Sequence, residues 1–134
     1  MSVRDLVESF YEDLWNRQDQ SRLGQILAED FRFRGSLGLE KSGPDQFWEY
    51  VEYIVGPLGD YRCDIQEIVV EGDRAFAKMW FSGVHRGEML GIPPSGRRIG
   101  WAGAALFRAE GDRLAELWVL GDLVGLEASL KGTA

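Results

Sequence analysis

The apolar positions change period once along this chain, and the change divides it into two parts. Val3, Leu6, Val7, Phe10, Tyr11 and Leu14 fall at spacings of three and four, which is one face of a helix. Ser2 with Asp5 three residues on supplies an N-terminal cap, so a first helix is predicted over 2–16. The polar run Asn16 to Ser21 predicts a turn, and Leu23, Ile26 and Leu27 mark a second, short helix. Phe31 and Phe33 alternate with Arg32 and Arg34 in a short strand that ends at Gly35. Residues 38–43 read as loop. Pro44 suits the first turn of a third helix, whose stripe of Phe47, Trp48, Val51, Ile54 and Val55 stops at Gly56 and Pro57. Phe47, Trp48, Tyr50 and Tyr53 crowd this helix, as either a broad core face or a surface on which a ligand stacks.

From Tyr61 onward the period is two. Strands are predicted over 61–71, 74–86, 97–109 and 113–121. Glu71-Gly72-Asp73 and Glu110-Gly111-Asp112 are hairpin turns, and a longer turn surrounds Pro93 to Gly96. The recurring Glu-Gly-Asp is shared hairpin chemistry, since nothing else repeats at that interval. A short helix over 125–131 closes the chain. Helices gathered early and strands late make the fold class α+β, with helices packed on one face of a curved, mostly antiparallel sheet.

Composition narrows the function. With 134 residues the chain is expected to form a single domain over 1–134, and its 45% hydrophobic content is enough for a core without disulfide or metal staples. Fifteen Lys and Arg against 22 Asp and Glu give a net charge of -7, which argues against nucleic acid and anionic membrane as partners. The start of the sequence lacks the pattern of a signal peptide, and no apolar run approaches the roughly 20 residues that span a bilayer. The single Cys63 fits a reducing compartment, so a cytoplasmic protein is expected.

Candidate chemistry concentrates between Arg74 and Leu126. Alternation places Ala75, Ala77, Met79, Phe81 and His85 on one face of their strand, taken as the inner one. In the last strand Leu114, Glu116, Trp118, Leu120 and Asp122 share a face, and both faces carry enough apolar surface to be covered, as a homodimer formed through the sheet would require. On this reading Met79, Phe81, Trp118 and Trp101 line an apolar hollow, with His85 and Asp122 near one end. A carboxylic acid in such a hollow is desolvated, which raises its pKa toward the range useful for proton transfer. Asp122 equally suits the N-cap of the following helix, and His85, the only histidine, equally suits a hydrogen-bonded strand end. One histidine and one cysteine make no zinc site, and Gly83, Gly87 and Gly91 follow no nucleotide fingerprint. Metal: none; no cofactor is implied. A small hydrophobic molecule is the expected partner.

The segment from Gly83 through His85, Gly87, Gly91, Pro93-Pro94-Ser95-Gly96 and Arg97 resembles the signature of the SnoaL-like polyketide cyclase family, and Glu116-Leu117-Trp118 followed by Gly121-Asp122 and Gly125-Leu126 is similar to that family's closing motif. The resemblance implies the conical α+β barrel of the nuclear-transport-factor-two-like superfamily. It further implies Asp122 as an acid/base aspartate for an intramolecular aldol closure, and His85 as a hydrogen-bond partner for substrate oxygen. Leu117 and Val119 replace polar residues that many relatives carry beside the tryptophan, which points to a drier pocket. Two functions follow as expectations: a cofactor-independent enzyme of the cyclase, isomerase or hydratase type, or a binding module that keeps the fold without the reaction.

Overall fold

A computed structural model describes residues 1–133. The chain runs α1 (Val3–Ser9), a π-helical continuation (Phe10–Asn16), one 3-10 turn (Gln20–Arg22), α2 (Leu23–Ile26), β1 (Leu27–Arg34), β2 (Glu40–Ser42) and α3 (Gly43–Val55). Then follow β3 (Leu58–Glu71), β4 (Arg74–His85), β5 (Arg98–Glu110), β6 (Arg113–Gly121) and α4 (Leu123–Lys131). All six strands belong to one sheet in the order β2-β1-β6-β5-β4-β3. Every pairing is antiparallel except β1 with β6. The α+β class and the mostly antiparallel sheet are as the sequence predicts. Among the described residues no helix is long and apolar enough to cross a membrane.

The first helix forms at its expected place. Ser2 and Asp5 exchange side-chain and backbone hydrogen bonds in a full capping box. Beyond Ser9 the helix widens to i, i+5 bonding, and Phe10, Tyr11, Leu14 and Trp15 all turn to the core. The helix is docked on β3 by Asn16. Its side-chain carbonyl accepts from Cys63 N at 2.7 Å and its amide donates to Cys63 O at 3.0 Å, so one side chain pairs with β3 as a neighbouring strand would. Leu27 was expected in the second helix but opens β1, because α2 is a single turn. β2 falls in the expected loop: three polar residues carry no alternation to reveal them.

Register shifts interrupt β3, β6 and the β1–β6 pairing, and each such bulge bends the sheet around the helices. The inward side holds one aromatic-rich cluster in which Phe10 touches Tyr11, Phe47 and Phe107, while Phe47 also meets Phe31, Phe33 and Trp15.

Asn16→Ala removes the side chain that, among the described residues, pairs with Cys63 N and O and leaves these two backbone groups of β3 without it. Urea denaturation is expected to show a loss of about 1–3 kcal/mol, and an unchanged midpoint would mean that the helix docks by packing alone.

Candidate functional site

Which way each strand residue faces follows from the register. β4 pairs with β5 as Phe81 with Trp101 and Met79 with Gly103, and β5 pairs with β6 as Ala105 with Val119 and Phe107 with Leu117. Odd-numbered residues of β4 and β5, and of β6 from Leu117 onward, therefore share the inner face. Met79, Phe81, Trp101, Phe107, Leu117 and Val119 are buried there. Even-numbered residues face out: Phe76, Trp80, Leu106, Trp118 and Leu120 are among the exposed large hydrophobics.

This corrects the expected position of Trp118, which is 48% exposed rather than in the hollow. The cause is a bulge: Arg108 pairs with Glu116 but Ala109 with Leu114, so Ala115 is an extra residue. Leu114 is thus turned inward and Glu116, Trp118 and Leu120 outward, although plain alternation puts all four together. Trp118 instead lies beside Arg34, whose guanidinium sits 5.6 Å from the ring centre.

Asp122 follows the same parity. Its side chain is exposed, and Oδ1 accepts from Gly125 N at 2.9 Å, the N-cap of α4. The desolvated setting expected for this carboxylate is not where the structure places it. Its chain neighbour Gly121 does reach inward: a Cβ on Gly121 would lie 2.7 Å from the Cβ of Ser36.

His85 is fully buried at the end of β4. Nδ1 is 3.3 Å from Ser95 Oγ, its backbone N donates to Arg97 O and its carbonyl accepts from Gly96 N, so it anchors the turn before β5. Nε2 has no partner among the described residues. His85 does not border the interior hollow described next.

That hollow lies between the first helix, α3 and the sheet, with about 20 Å³ of free space, room for roughly one water. Phe81 and Trp101 border it as expected, their rings 5.2 Å apart. Met79 is fully buried in the same face but does not border it. The remaining wall was not foreseen: Phe10, Tyr11 and Trp15 from the π-helical segment, Phe33 and Ser36 after it, Tyr50 and Ile54 from α3, Tyr61 from β3 and Val119 from β6. Only the aromatic density of α3 signalled any of these.

Three donors on this wall, Tyr11 Oη, Trp15 Nε1 and Trp101 Nε1, are buried without a partner among the described residues. Each such group costs about 1–3 kcal/mol. Burial pushes the Tyr11 and Tyr61 phenols well above their ordinary pKa of 10.0, reinforced by Cys63 and by the neighbouring phenols. Burial also raises Tyr50, against the opposing hydrogen bonds from Ser36 and Leu37. The phenols thus stay protonated at neutral pH, and with the indoles they can give hydrogen bonds to an oxygen but cannot take a proton.

Comparison with known proteins gives the same architecture. Residues 5–130 match the family model described as SnoaL-like polyketide cyclase. TsrD from Streptomyces laurentii is similar over 98% of this chain and 96% of its own, at 31% identity and a TM-score of 0.84. IdmH from Streptomyces antibioticus, described as a proposed polyketide cyclase, superposes with a TM-score of 0.87 at 22% identity, covering 98% of this chain and 99% of its own. AclR from Streptomyces galilaeus, described as a proposed hydroxylase, does so at 0.81 and 23%, covering 98% and 85%. No curated protein matches the chain.

Phenols with raised native pKa values stabilise the fold below the unfolded value and lose that contribution as pH rises past it. Stability is therefore expected to hold from neutrality to about pH 9.5, then fall above pH 10.0 by about 1.4 kcal/mol per pH unit per buried phenol. Tyr11→Phe should reduce this alkaline limb by one phenol's share and raise stability at pH 7 by about 1–3 kcal/mol, since it removes a buried hydroxyl that has no partner among the described residues. Guanidinium melts between pH 7 and 11 give both values.

Proposed function

This chain belongs to the SnoaL-like polyketide cyclase family, and we propose that it is a cofactor-independent enzyme that binds a small, largely apolar carbonyl compound inside the cone. The observation that supports this reading is the pairing of an aromatic wall with Tyr11 Oη, Trp15 Nε1 and Trp101 Nε1, donors that lack acceptors in the protein. A carbonyl oxygen set among them is polarised. When a neighbouring C–H loses its proton, the charge that develops on that oxygen meets donors already in place, and such preorganised donors each contribute about 10²- to 10³-fold. The ring closure, isomerisation or hydration that follows proceeds from the substrate's own enolate, which these donors hold. The lone buried thiol agrees with a cytoplasmic setting.

In this proposal Asp122 keeps the role that its motif implies, accepting the proton and returning it, which requires the end of β6 to turn this exposed carboxylate from its cap position toward the ligand. One carboxylate oxygen holds the Gly125 amide while the other remains for the ligand. His85, whose Nε2 is uncommitted among the described residues, is proposed as the second polar group on the strength of its motif alone, since it is fully buried and does not border the hollow. One observation favours the rival reading of a binding module without turnover: the hollow in this structure admits little more than a water.

Asp122→Asn separates the two, because Asn caps a helix about as well as Asp but accepts no proton. With a β-keto ester of the polyketide type as substrate, turnover is expected to fall about 10²- to 10⁴-fold with the melting temperature unchanged. Undiminished turnover would leave Asp122 as a cap and nothing more.

The outer sheet face is proposed to pair with a second copy of the chain. Phe76, Trp80, Leu106, Trp118 and Leu120 are all exposed on β4 to β6, the kind of apolar area that marks an association surface. Leu106→Arg is expected to convert a dimer to monomers in light scattering after size exclusion, and an unaltered mass would remove this face from consideration.

A further inference from the structure

We infer that the ligand occupies two adjoining chambers, and that Tyr50 controls the partition between them. This inference rests on the proposal that the interior hollow is the binding site. It starts from a mismatch of size: a space of about 20 Å³ holds no organic molecule, yet a second hollow of about 380 Å³ opens on the surface next to it. The outer chamber is bordered by Leu37, Tyr53 and Pro57 and by the run from Gly87 to Leu90, which is apolar but for Glu88. Ser36 faces the inner hollow and Leu37 the outer one. A single peptide unit thus divides them.

The turn carrying that peptide is the weakest part of the inner wall. Gly35 to Leu39 is closed on itself by Gly35 N donating to Leu39 O and Gly38 N to Gly35 O, both at 2.9 Å, so it can move as a unit. Among the described residues its hydrogen bonds to α3 are those of the Tyr50 hydroxyl, which lies 3.4 Å from Ser36 Oγ and accepts from Leu37 N at 3.5 Å. Both contacts are at the long limit of hydrogen bonding. The rest of the wall consists of packed rings and paired strands. Gly35 permits the closed position, since a Cβ there would lie 2.3 Å from the Tyr50 ring, and Gly121 seals it against Ser36.

Swinging the turn outward joins the chambers and breaks the seal at Gly121, the residue before Asp122. The polar carbonyl end of the ligand then lies among the inner donors, and its apolar remainder in the outer chamber against Leu37, Met89 and Leu90. Tyr50 is a positioning residue: it sets how often the partition is open.

The test needs no substrate. In a chain with Trp48, Trp80 and Trp118 replaced by Phe, emission comes from Trp15 and Trp101 on the inner wall. Tyr50→Phe removes the latch and is expected to raise acrylamide quenching of that emission and to speed amide exchange at Leu37 and Gly38 about fivefold, with β3 and β4 amides unchanged. Gly121→Ala, which wedges Ser36 outward in an otherwise native chain, should speed the same two amides. Unaltered quenching and exchange in both variants overturn the partition. An intact partition response together with full turnover in Asp122→Asn would instead count against the enzymatic reading alone.

Discussion

The structure depends on a sheet that has one side to hide. Residue pairing from β4 through β6 keeps odd positions opposite odd positions up to the bulge at Ala115, where Leu114 takes over opposite Ala109, so a single inward face crosses three strands. The side chains on it alternate in size. Gly103 has no room for a Cβ because the Phe81 ring lies 2.2 Å from where one would stand, and small residues such as Ala77 and Ala105 leave space for the rings of the first helix and α3. Burial of such aromatic area is worth about 25 cal/mol per Å², and nothing else in a chain of this length offers stabilisation on that scale.

Against that background the unpartnered donors are a departure from what stability alone would select. Phe in place of Tyr11, or an aliphatic side chain in place of either indole, would fill the same wall without stranding a polar atom. Local choices that oppose folding concentrate where a protein does something else. Here three of the four buried unpartnered atoms among the described residues lie on side chains that line one hollow, the fourth being His85 Nε2, while Asn16 on the first helix has found partners.

Much of this was legible in the sequence and some was not, for identifiable reasons. The capping box at Ser2, the stripe of α3 and the period-two runs announced most elements because each repeats a signal over many residues. Phe81, Met79 and Trp101 were placed on the correct face by the same periodicity. Trp118 was misplaced because the extra residue at Ala115 is an alanine like any other, and no local composition betrays a bulge that only the partner strand defines. The π-helical segment that brings Tyr11 and Trp15 to the hollow was likewise silent: its apolar spacing is compatible with an ordinary helix, and the wider bonding emerges only on packing against β3. The family motif identified Asp122 and His85 as notable, but carried no information about which way either one points.

The bulge at Ala115 therefore bears on how this protein is compared with its homologues. Because alternate side chains of a strand point in opposite directions, deletion of that alanine would make inward Leu114 and outward Glu116 direct neighbours, restoring plain alternation without turning the tryptophan or anything after it. A homologue one residue shorter at this place can thus keep its aspartate facing as Asp122 does. The bulge is a point on the strand where a change of length leaves the faces on either side as they were.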